Sequence, residues 1–359
     1  MTPTLAATGF PPVFDGHNDA LTRLYLPWTS GSFLERRPEG HLDLPRALEG
    51  GFAGGLFAIM PKAPPSPADL EEPPPGDGPG YSLPLDPPLD PGIALESTLA
   101  AMGGLFRLER QAGGRLKVVT TAVDLQGCLE AGVLAVVLHF EGAEAIDPDL
   151  RALEVFHRAG LRSLGLVWSR PNAFGQGVPF CFPSSPDIGP GLTEAGRRLV
   201  RACNELGILL DLSHLNEAGF WEVAGLSRAP LVASHSNAHA LCPVSRNLTD
   251  AQLDAVAASG GLVGVNLAVS FLRPDGRNEA DTPLEVVLDH VEYLAGRMGV
   301  RHVALGSDFD GATIPREVGD VTGLPRLLEG LRRRGWSDEE LALFCYGNWL
   351  RVLRQTWGR

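Results

Sequence analysis

The sequence predicts an α/β fold of the (β/α)8, TIM-like barrel class. Three observations support it: eight short apolar runs of strand character, helical patterns between several of them, and a length of 359 residues. That length suits either one large barrel or two ordinary domains. A doubly wound open sheet is the main alternative, but no GxGxxG or P-loop pattern follows the first apolar run. We expect one barrel over residues 1–359, interrupted by a Pro- and Gly-rich insertion at about 61–92.

The strands are assigned from short apolar runs that are bounded by turn-forming residues. A closed barrel of this class needs eight parallel strands, and eight runs are present. The predicted segments are 13–19, 56–60, 133–141, 163–168, 208–214, 231–235, 262–267 and 303–308.

Capping residues mark the starts of several helices between these strands. Thr249 with Gln252 and Ser337 with Glu340 have the spacing of capping boxes. A helix that starts after Thr193 carries an apolar stripe and ends before Gly207, a plausible C′ residue. Another is expected to have Thr282 as its N-cap, with a proline at N1.

Composition limits the classes of partner. The chain is 44% hydrophobic and 20% charged, as in ordinary globular proteins. Its net charge is −13 and it has no basic stripe, which argues against binding to nucleic acid or to an anionic membrane surface. No apolar run approaches the roughly 20 residues that cross a bilayer.

The cysteines indicate a reducing compartment. There are five, an odd number, scattered along the chain without a CxxC pair. The N-terminal residues lack the basic and apolar regions of a signal peptide. We therefore expect a cytoplasmic protein.

The segment 61–92 interrupts the alternation of strands and helices. It is dense in Pro, Gly and acidic residues, which excludes a helix interior or a central strand. Because it follows the second strand, it would lie at the catalytic face of a barrel. It is either a mobile loop without function or a lid and pocket wall.

The first strand ends in His17-Asn18-Asp19. In an extended segment, side chains at i and i+2 point to the same face, so His17 and Asp19 project together. An imidazole beside a carboxylate is a good half-site for a divalent metal. By itself, such a pair is more often an ordinary hydrogen-bonded pair.

Four other predicted strands end in a similar residue: Glu141, His214, His235 and Asp308. Each of these is, alone, more simply a satisfied structural residue. In a barrel, however, the C-terminal strand ends converge on one mouth, where active sites lie. Three carboxylates and three imidazoles collected there require a balancing charge, which two divalent cations would supply. The ligand types suit zinc.

In the motifs that contain these residues, the chain resembles the membrane (renal) dipeptidase family of zinc peptidases, within the amidohydrolase superfamily. The resemblance covers nearly the whole chain, and the motifs are specific in combination. They are DGHND at 15–19, EG at 141–142, DLSH at 211–214, SHS at 234–236, SRN at 245–247 and GSDFDG at 306–311.

The resemblance implies a role for each matching residue. One zinc ion would be held by His17 and Asp19 and a second by His214 and His235, with Glu141 bridging both. Asp308 would be the acid/base carboxylate and Arg246 would hold the substrate carboxylate; a solvated surface arginine is the simpler alternative for Arg246. The implied reaction is dipeptide hydrolysis with tolerance of a D-residue at the C-terminal position. A homodimer is expected only by analogy.

Two departures from the family concern the substrate pocket. Trp168 stands where better-known members have a substrate-contacting histidine, and indole can donate but cannot exchange a proton as imidazole does. Ala268 stands where a tyrosine is expected to help hold the substrate carboxylate. His139 shares a face with the bridging position and is either a metal-site partner or a packed histidine.

Two other functions stay open. One is another amidohydrolase reaction, on a cyclic amide, a lactone or an N-acyl amino acid. The other is a non-catalytic metal-binding barrel, which the retention of every ligand position argues against.

Overall fold

The computed structural model describes residues 8–24, 31–62 and 80–358. Within these ranges eleven strands are formed. They are β1 (Val13–Asn18), β2 (Phe52–Ile59), β3 (Tyr81–Ser82), β4 (Leu116–Val118), β5 (Leu134–Glu141), β6 (Leu161–Gly165), β7 (Cys181–Phe182), β8 (Leu209–Asp211), β9 (Val232–Ser236), β10 (Leu262–Val265) and β11 (Val303–Leu305).

Eight of these strands form the barrel, in the order β1-β2-β5-β6-β8-β9-β10-β11, and each pair is parallel. The ring is closed between its first and last strands by a parallel bridge from Asn18 to Phe309. Buried Asp15 strengthens this closure, because its carboxylate accepts hydrogen bonds from the backbone N and the hydroxyl of Ser307 at 2.7 and 2.8 Å. The predicted barrel class is confirmed, and each predicted strand segment contains a barrel strand or overlaps one.

Three short strands were not predicted. β4 pairs with the first residues of β5. β6 pairs with the same edge of β5, nearer its C-terminal end. β3 and β7 form a separate antiparallel ribbon at the barrel mouth. Strands this short carry too few residues for an alternating pattern to show in the sequence.

Twelve α-helices are formed in the described ranges. They are α1 (Ala20–Leu24), α2 (Leu44–Glu49), α3 (Pro91–Ala112), α4 (Ala122–Ala131), α5 (Arg151–Arg158), α6 (Glu194–Leu206), α7 (Glu217–Leu226), α8 (Asp250–Ala258), α9 (Leu284–Met298), α10 (Leu324–Arg333), α11 (Asp338–Ala342) and α12 (Asn348–Trp357). A π-helical turn, Leu343–Gly347, joins the last two. None of the described helices has the length and apolar character needed to span a membrane.

The predicted caps are largely confirmed. Thr193 caps α6, which Gly207 ends in the left-handed conformation, and both capping boxes are formed. The prediction for α9 is wrong by one residue: its cap is Pro283, whereas the Thr282 hydroxyl donates to the carbonyl oxygen of Glu279.

Much of the predicted insertion at 61–92, residues 63–79, lies outside the described residues. Pro91 begins α3 and Asp90 is the N-cap of that helix, so the last residues of the predicted insertion form a helix start. The described remainder, residues 80–90, includes β3 and runs along the barrel mouth.

The barrel interior is packed at its N-terminal end. Phe14 and Trp349 are fully buried there, and the Trp349 indole donates to the carbonyl oxygen of Leu305 at 3.0 Å. On β1, a Cβ at Gly16 would lie 2.4 Å from both the Trp349 ring and the carbonyl oxygen of Ser234. Only glycine allows this close approach. This packed end leaves the opposite, C-terminal end as the place for a site.

Candidate metal centre

The six residues that the sequence predicts for the centre meet at the C-terminal mouth of the barrel. Each lies at, or just beyond, the end of a different strand, apart from the two that share β1. All are buried. They are His17, Asp19, Glu141, His214, His235 and Asp308.

One oxygen of Glu141 is the point on which three imidazoles converge. Its Oε1 lies 3.0 Å from Nε2 of His214 and 3.6 Å from Nε2 of both His235 and His17. The Nε2 atoms of His214 and His235 are themselves 3.1 Å apart. Donor atoms of these types, so close around one carboxylate oxygen, match the chemistry of a divalent metal site.

A second group of candidate ligands lies on the β1 side. Nε2 of His17 is 3.4 Å from Oδ2 of Asp19, and ligand atoms of His17, Asp19 and Asp308 lie within 4.8 Å of one another. Both ring nitrogens of His17 and Oδ1 of Asp19 are buried and have no hydrogen-bond partner in the described structure. Unpartnered buried polar atoms are costly, so this group also fits a cation.

Burial and the neighbouring charges shift the pKa values of the clustered residues. Burial raises the pKa of Glu141 to about 8, against the attraction of His17. Burial disfavours a charged His17 as well, but the neighbouring carboxylates outweigh it and raise the pKa of His17 to about 10. Burial holds the pKa values of His214 and His235 well below the usual range, so both present neutral imidazoles. Neutral imidazole is the form that binds a metal.

Serine hydroxyls orient two of the imidazoles. Ser234 donates its hydroxyl proton to Asp211, so its oxygen is left to accept from Nδ1 of His235 at 2.8 Å. This assigns the proton of His235 to Nδ1 and leaves Nε2 with a free lone pair facing Glu141. The hydroxyl of Ser169 lies 2.8 Å from Nδ1 of His214 and forms a hydrogen bond with that ring.

Three residues around the centre have left-handed backbones, which non-glycine residues rarely adopt. The φ angles are 67° at His214, 60° at Asp308 and 68° at Asp310. The Asp308 turn is held by its own backbone N–H, which donates to the carbonyl oxygen of His17 at 3.0 Å. A second hydrogen bond stabilises this turn: the Asp310 backbone N–H donates to Nδ1 of His41 at 2.9 Å.

Asp308 is oriented by a residue that sequence reasoning missed. Nδ2 of Asn266 donates to its Oδ2 at 2.9 Å. Burial raises the pKa of Asp308. The sequence signal was present, since Asn266 follows β10 as the other site residues follow their strands, but an amide is not a titratable group and was not considered.

Arg246 is buried, so the alternative of a solvated surface arginine is wrong. Within the described parts of the chain, its guanidinium makes one hydrogen bond, to the carbonyl oxygen of His235 at 3.1 Å, and its Nε has no partner. Its Cζ lies 5.4 Å from the centre of the Phe271 ring. Burial lowers its pKa, and the charges of Asp308 and Glu141 oppose that shift. A guanidinium with so few partners is suited to an incoming anion.

His139 lies beneath the centre. Its Nδ1 is 2.9 Å from the hydroxyl of Ser163 and its Nε2 is 3.6 Å from Asp211. Its ring meets that of His17 edge-on at 5.5 Å. Burial lowers the pKa of His139 to about 4, so it presents a neutral imidazole beside His17, and His17, His139 and Asp211 bring ligand atoms within 4.8 Å of one another.

A cavity of about 1490 Å³ opens over the centre. Glu141, His214 and Asp308 line its base, and Trp168 lines its side with its ring 5.8 Å from that of His214. Ala268 also lines it. The two positions that depart from the family pattern therefore both face this cavity.

Comparison with known proteins agrees with this geometry. A family model described as membrane dipeptidase (peptidase family M19) matches residues 8–357. An uncharacterized protein in the pqqA 5′ region of Klebsiella pneumoniae is 49% identical over 267 residues, which are 74% of this chain and 98% of the relative.

Two solved structures are similar over almost their full lengths. One is a metallo peptidase from Rhodobacter sphaeroides, liganded with a phosphinate mimic of the dipeptide L-Ala-D-Ala. Its TM-score is 0.90 at 51% identity, covering 97% of this chain and 100% of that chain. The other is the metallo peptidase dipeptidase AC, with a TM-score of 0.89 at 51% identity, covering 97% and 99%. From the family match and these relatives, the chain belongs to the membrane dipeptidase family, peptidase family M19, and is a metallo-dipeptidase.

Proposed function

We propose that this dipeptidase works with two zinc ions and accepts dipeptides with a D-residue at the C-terminal position. The convergence of three imidazoles on Oε1 of Glu141 is the observation that carries the two-ion proposal. The D-residue proposal is supported by the Rhodobacter sphaeroides structure, whose ligand mimics L-Ala-D-Ala.

The proposed ligands divide into two pairs around one bridge. His17 and Asp19 would hold the first ion and His214 and His235 the second, with Glu141 as the ligand available to both. Imidazole nitrogen and carboxylate oxygen are ligands that zinc takes. Two such ions, when bound, lower the pKa of the attacking water and polarise the scissile carbonyl.

Asp308 moves the proton in this proposal. Because Asn266 occupies Oδ2, Oδ1 is left to accept the proton of the attacking water. The same carboxyl then passes that proton to the leaving amine as the C–N bond breaks. Burial raises its pKa, which favours the protonated form needed for the second step.

Arg246 binds the substrate carboxylate. The guanidinium is buried with one hydrogen bond, so a carboxylate that reaches it gains a charge-assisted, bidentate contact. That contact fixes the C-terminal residue and restricts the enzyme to short substrates. Trp168 lines the cavity beside the centre and contacts the bound dipeptide.

One barrel domain over residues 1–359, a homodimer and a cytoplasmic location are further proposals from the sequence.

Metal analysis and a substrate panel test the function. Protein purified without added metal is analysed by mass spectrometry, and we expect close to two zinc ions per chain. The zinc-loaded protein is then offered L-Xaa-D-Xaa and L-Xaa-L-Xaa dipeptides beside lactones, cyclic amides and N-acyl amino acids. Cleavage of the dipeptides supports the proposal. Cleavage of only the other amides or esters would favour another amidohydrolase reaction, and absence of bound metal would contradict the proposal altogether.

A further inference from the structure

One side of the cavity is built from aromatic rings. We call Tyr81, Trp168, Phe180 and Phe271 the aromatic wall; all four line the cavity. Phe180 is its centre, stacked on Phe271 with ring centres 6.0 Å apart and meeting Trp168 edge-on at 5.6 Å. The ring of Phe180 also lies 6.3 Å from that of His214, so the wall begins directly beside the metal centre.

Another side of the cavity carries most of its polar groups. The segments that follow β1, β2 and β11 line it with Asp19, Thr22, His41, Lys62 and Asp310, beside the apolar Met60, Ala312 and Ile314. The wall belongs instead to the segments that follow β6 and β10 and to the ribbon of β3 and β7. A dipeptide lying across the mouth would therefore have chemically different surroundings at its two ends.

Arg246 determines which end faces the aromatic wall. Its Cζ lies 5.4 Å from the Phe271 ring, so a carboxylate bound there places the C-terminal residue against Phe271. Ala268 lies in the same buried apolar cluster as Phe271 and also lines the cavity. Its methyl group leaves room beside the ring that a larger side chain would fill.

Charges at the rim beyond the wall neutralise one another. Arg273 forms two hydrogen bonds with the Asp275 carboxylate, at 2.8 and 2.6 Å. Arg277 lies 3.5 Å from Glu279. A charged substrate side chain on this side would have to compete with these existing ion pairs for a partner.

We propose that the aromatic wall is the subsite for the side chain of the C-terminal residue, and that this enzyme selects dipeptides whose C-terminal residue is large and apolar. The proposal rests on the proposed function, through the role of Arg246. Its physical basis is the transfer of an apolar side chain from water to a surface of rings.

A substrate series tests this directly. The zinc-loaded enzyme is given L-Ala-D-Xaa with Ala, Leu, Phe, Asp or Lys as the second residue, and the same series with an L-residue there. We expect kcat/KM to rise on the order of 10-fold or more from Ala to Leu and Phe, and to fall below the Ala value for Asp and Lys. In a second series, L-Xaa-D-Ala, the N-terminal residue is changed instead, and kcat/KM should vary less.

Variants then assign the selectivity to the wall. Phe180→Ala should lose about 10-fold in kcat/KM for L-Ala-D-Phe and less than about 3-fold for L-Ala-D-Ala. Leu99→Ala, an exposed site on α3 away from the cavity, is the control and should leave both values unchanged. Phe180→Leu, which keeps an apolar side chain, should retain more of the preference and guards against a folding defect.

The outcomes separate the two proposals. If dipeptides are cleaved without preference for a large apolar C-terminal residue, or if Phe180→Ala affects both substrates equally, the subsite proposal is wrong and the proposed function stands. If no dipeptide is cleaved in either series, the proposed function fails and the subsite proposal fails with it.

Discussion

His214 and His235 present their Nε2 atoms to each other at 3.1 Å, across Oε1 of Glu141. The hydrogen bonds of Ser234 leave Nε2 of His235 without a proton, so this atom cannot donate to either neighbour. The lone pair on Nε2 of His235 therefore faces the Glu141 carboxylate and the His214 ring, an arrangement in which a neutral imidazole can bind a metal ion.

Glu141→Gln should disrupt the metal centre. The amide keeps the size of the side chain but removes the negative charge on which three imidazoles converge. We expect at least one of the two ions to be lost after dialysis, and turnover to fall by at least about 10²-fold. Metal content by mass spectrometry is the measurement, with the exposed Glu130→Gln as the control. Two ions retained in Glu141→Gln would rule out the bridging role.

Asp308→Asn should separate metal binding from turnover. Asparagine also tolerates the left-handed backbone found at this position, so the fold should be retained. Without a carboxylate that takes up and returns a proton, kcat should fall by at least about 10²-fold while both ions stay bound. Asp275→Asn, at a carboxylate that lines the same cavity, should have little effect on kcat. If the Asp308→Asn variant instead loses metal, Asp308 is itself a metal ligand.

Ser234→Ala should weaken metal binding without touching a ligand. The change removes the hydroxyl that holds the proton of His235 on Nδ1, and we expect metal affinity to fall roughly 10- to 100-fold. Competition with a chelator measures this. Ser163→Ala is a matched control, because that hydroxyl meets the ring of His139, which is not a proposed ligand. Equal losses in both variants would mean that a general packing defect, and not the orientation of His235, is responsible.

His290 should make the fold sensitive to acid at a place away from the metal ligands. Its Nε2 donates to the carbonyl oxygen of Leu272, its Nδ1 accepts from the backbone N–H of Ala238, and burial lowers its pKa from about 6.5 to about 4. Between those pH values the unfolded chain takes up a proton that the folded protein refuses, so stability is present above pH 6.5 and is lost as pH falls toward 4.

Urea unfolding of the wild type and of His290→Gln at pH 7 and pH 5 tests this. The wild type should be the more stable at pH 7, and its advantage should shrink by about 2 kcal/mol at pH 5. Other groups titrate alike in the two proteins, so their contributions cancel in the comparison. An advantage that does not change with pH would show that His290 titrates normally in the folded protein.

Much of the fold could be predicted because a parallel barrel repeats one simple pattern. Each barrel strand is a buried apolar run, and helices such as α6 and α8 are bounded by caps that depend on neighbouring residues alone. The ribbon of β3 and β7 could not be predicted, since each of its strands has two residues and they pair only because the chain brings distant segments together. The cap of α9 was misplaced for a local reason: the Thr282 hydroxyl donates to the carbonyl oxygen of Glu279, three residues earlier, and does not cap the helix.

Part of the candidate site could likewise be predicted from the sequence, and part could not. His17 and Asp19 share a face because of strand geometry, which the sequence contains. The contacts of Ser234 and Asn266 join different strands, and no local pattern indicates them. Arg246 shows the difference most clearly, because a loop arginine is ordinarily solvated, whereas here the surrounding segments bury it beside Phe271.

The sequence by itself determined the barrel, the ligand types and their order along the chain, since periodicity and residue chemistry are local properties. Only the tertiary structure decided which atoms meet: that Oε1 of Glu141 is the common point, that Nε2 of His235 is the free nitrogen, and that Phe180 and Phe271 form one wall of the cavity. The physical reason is that distances, burial and proton positions depend on packing between strands and loops far apart in sequence, and this packing forms only when the barrel closes.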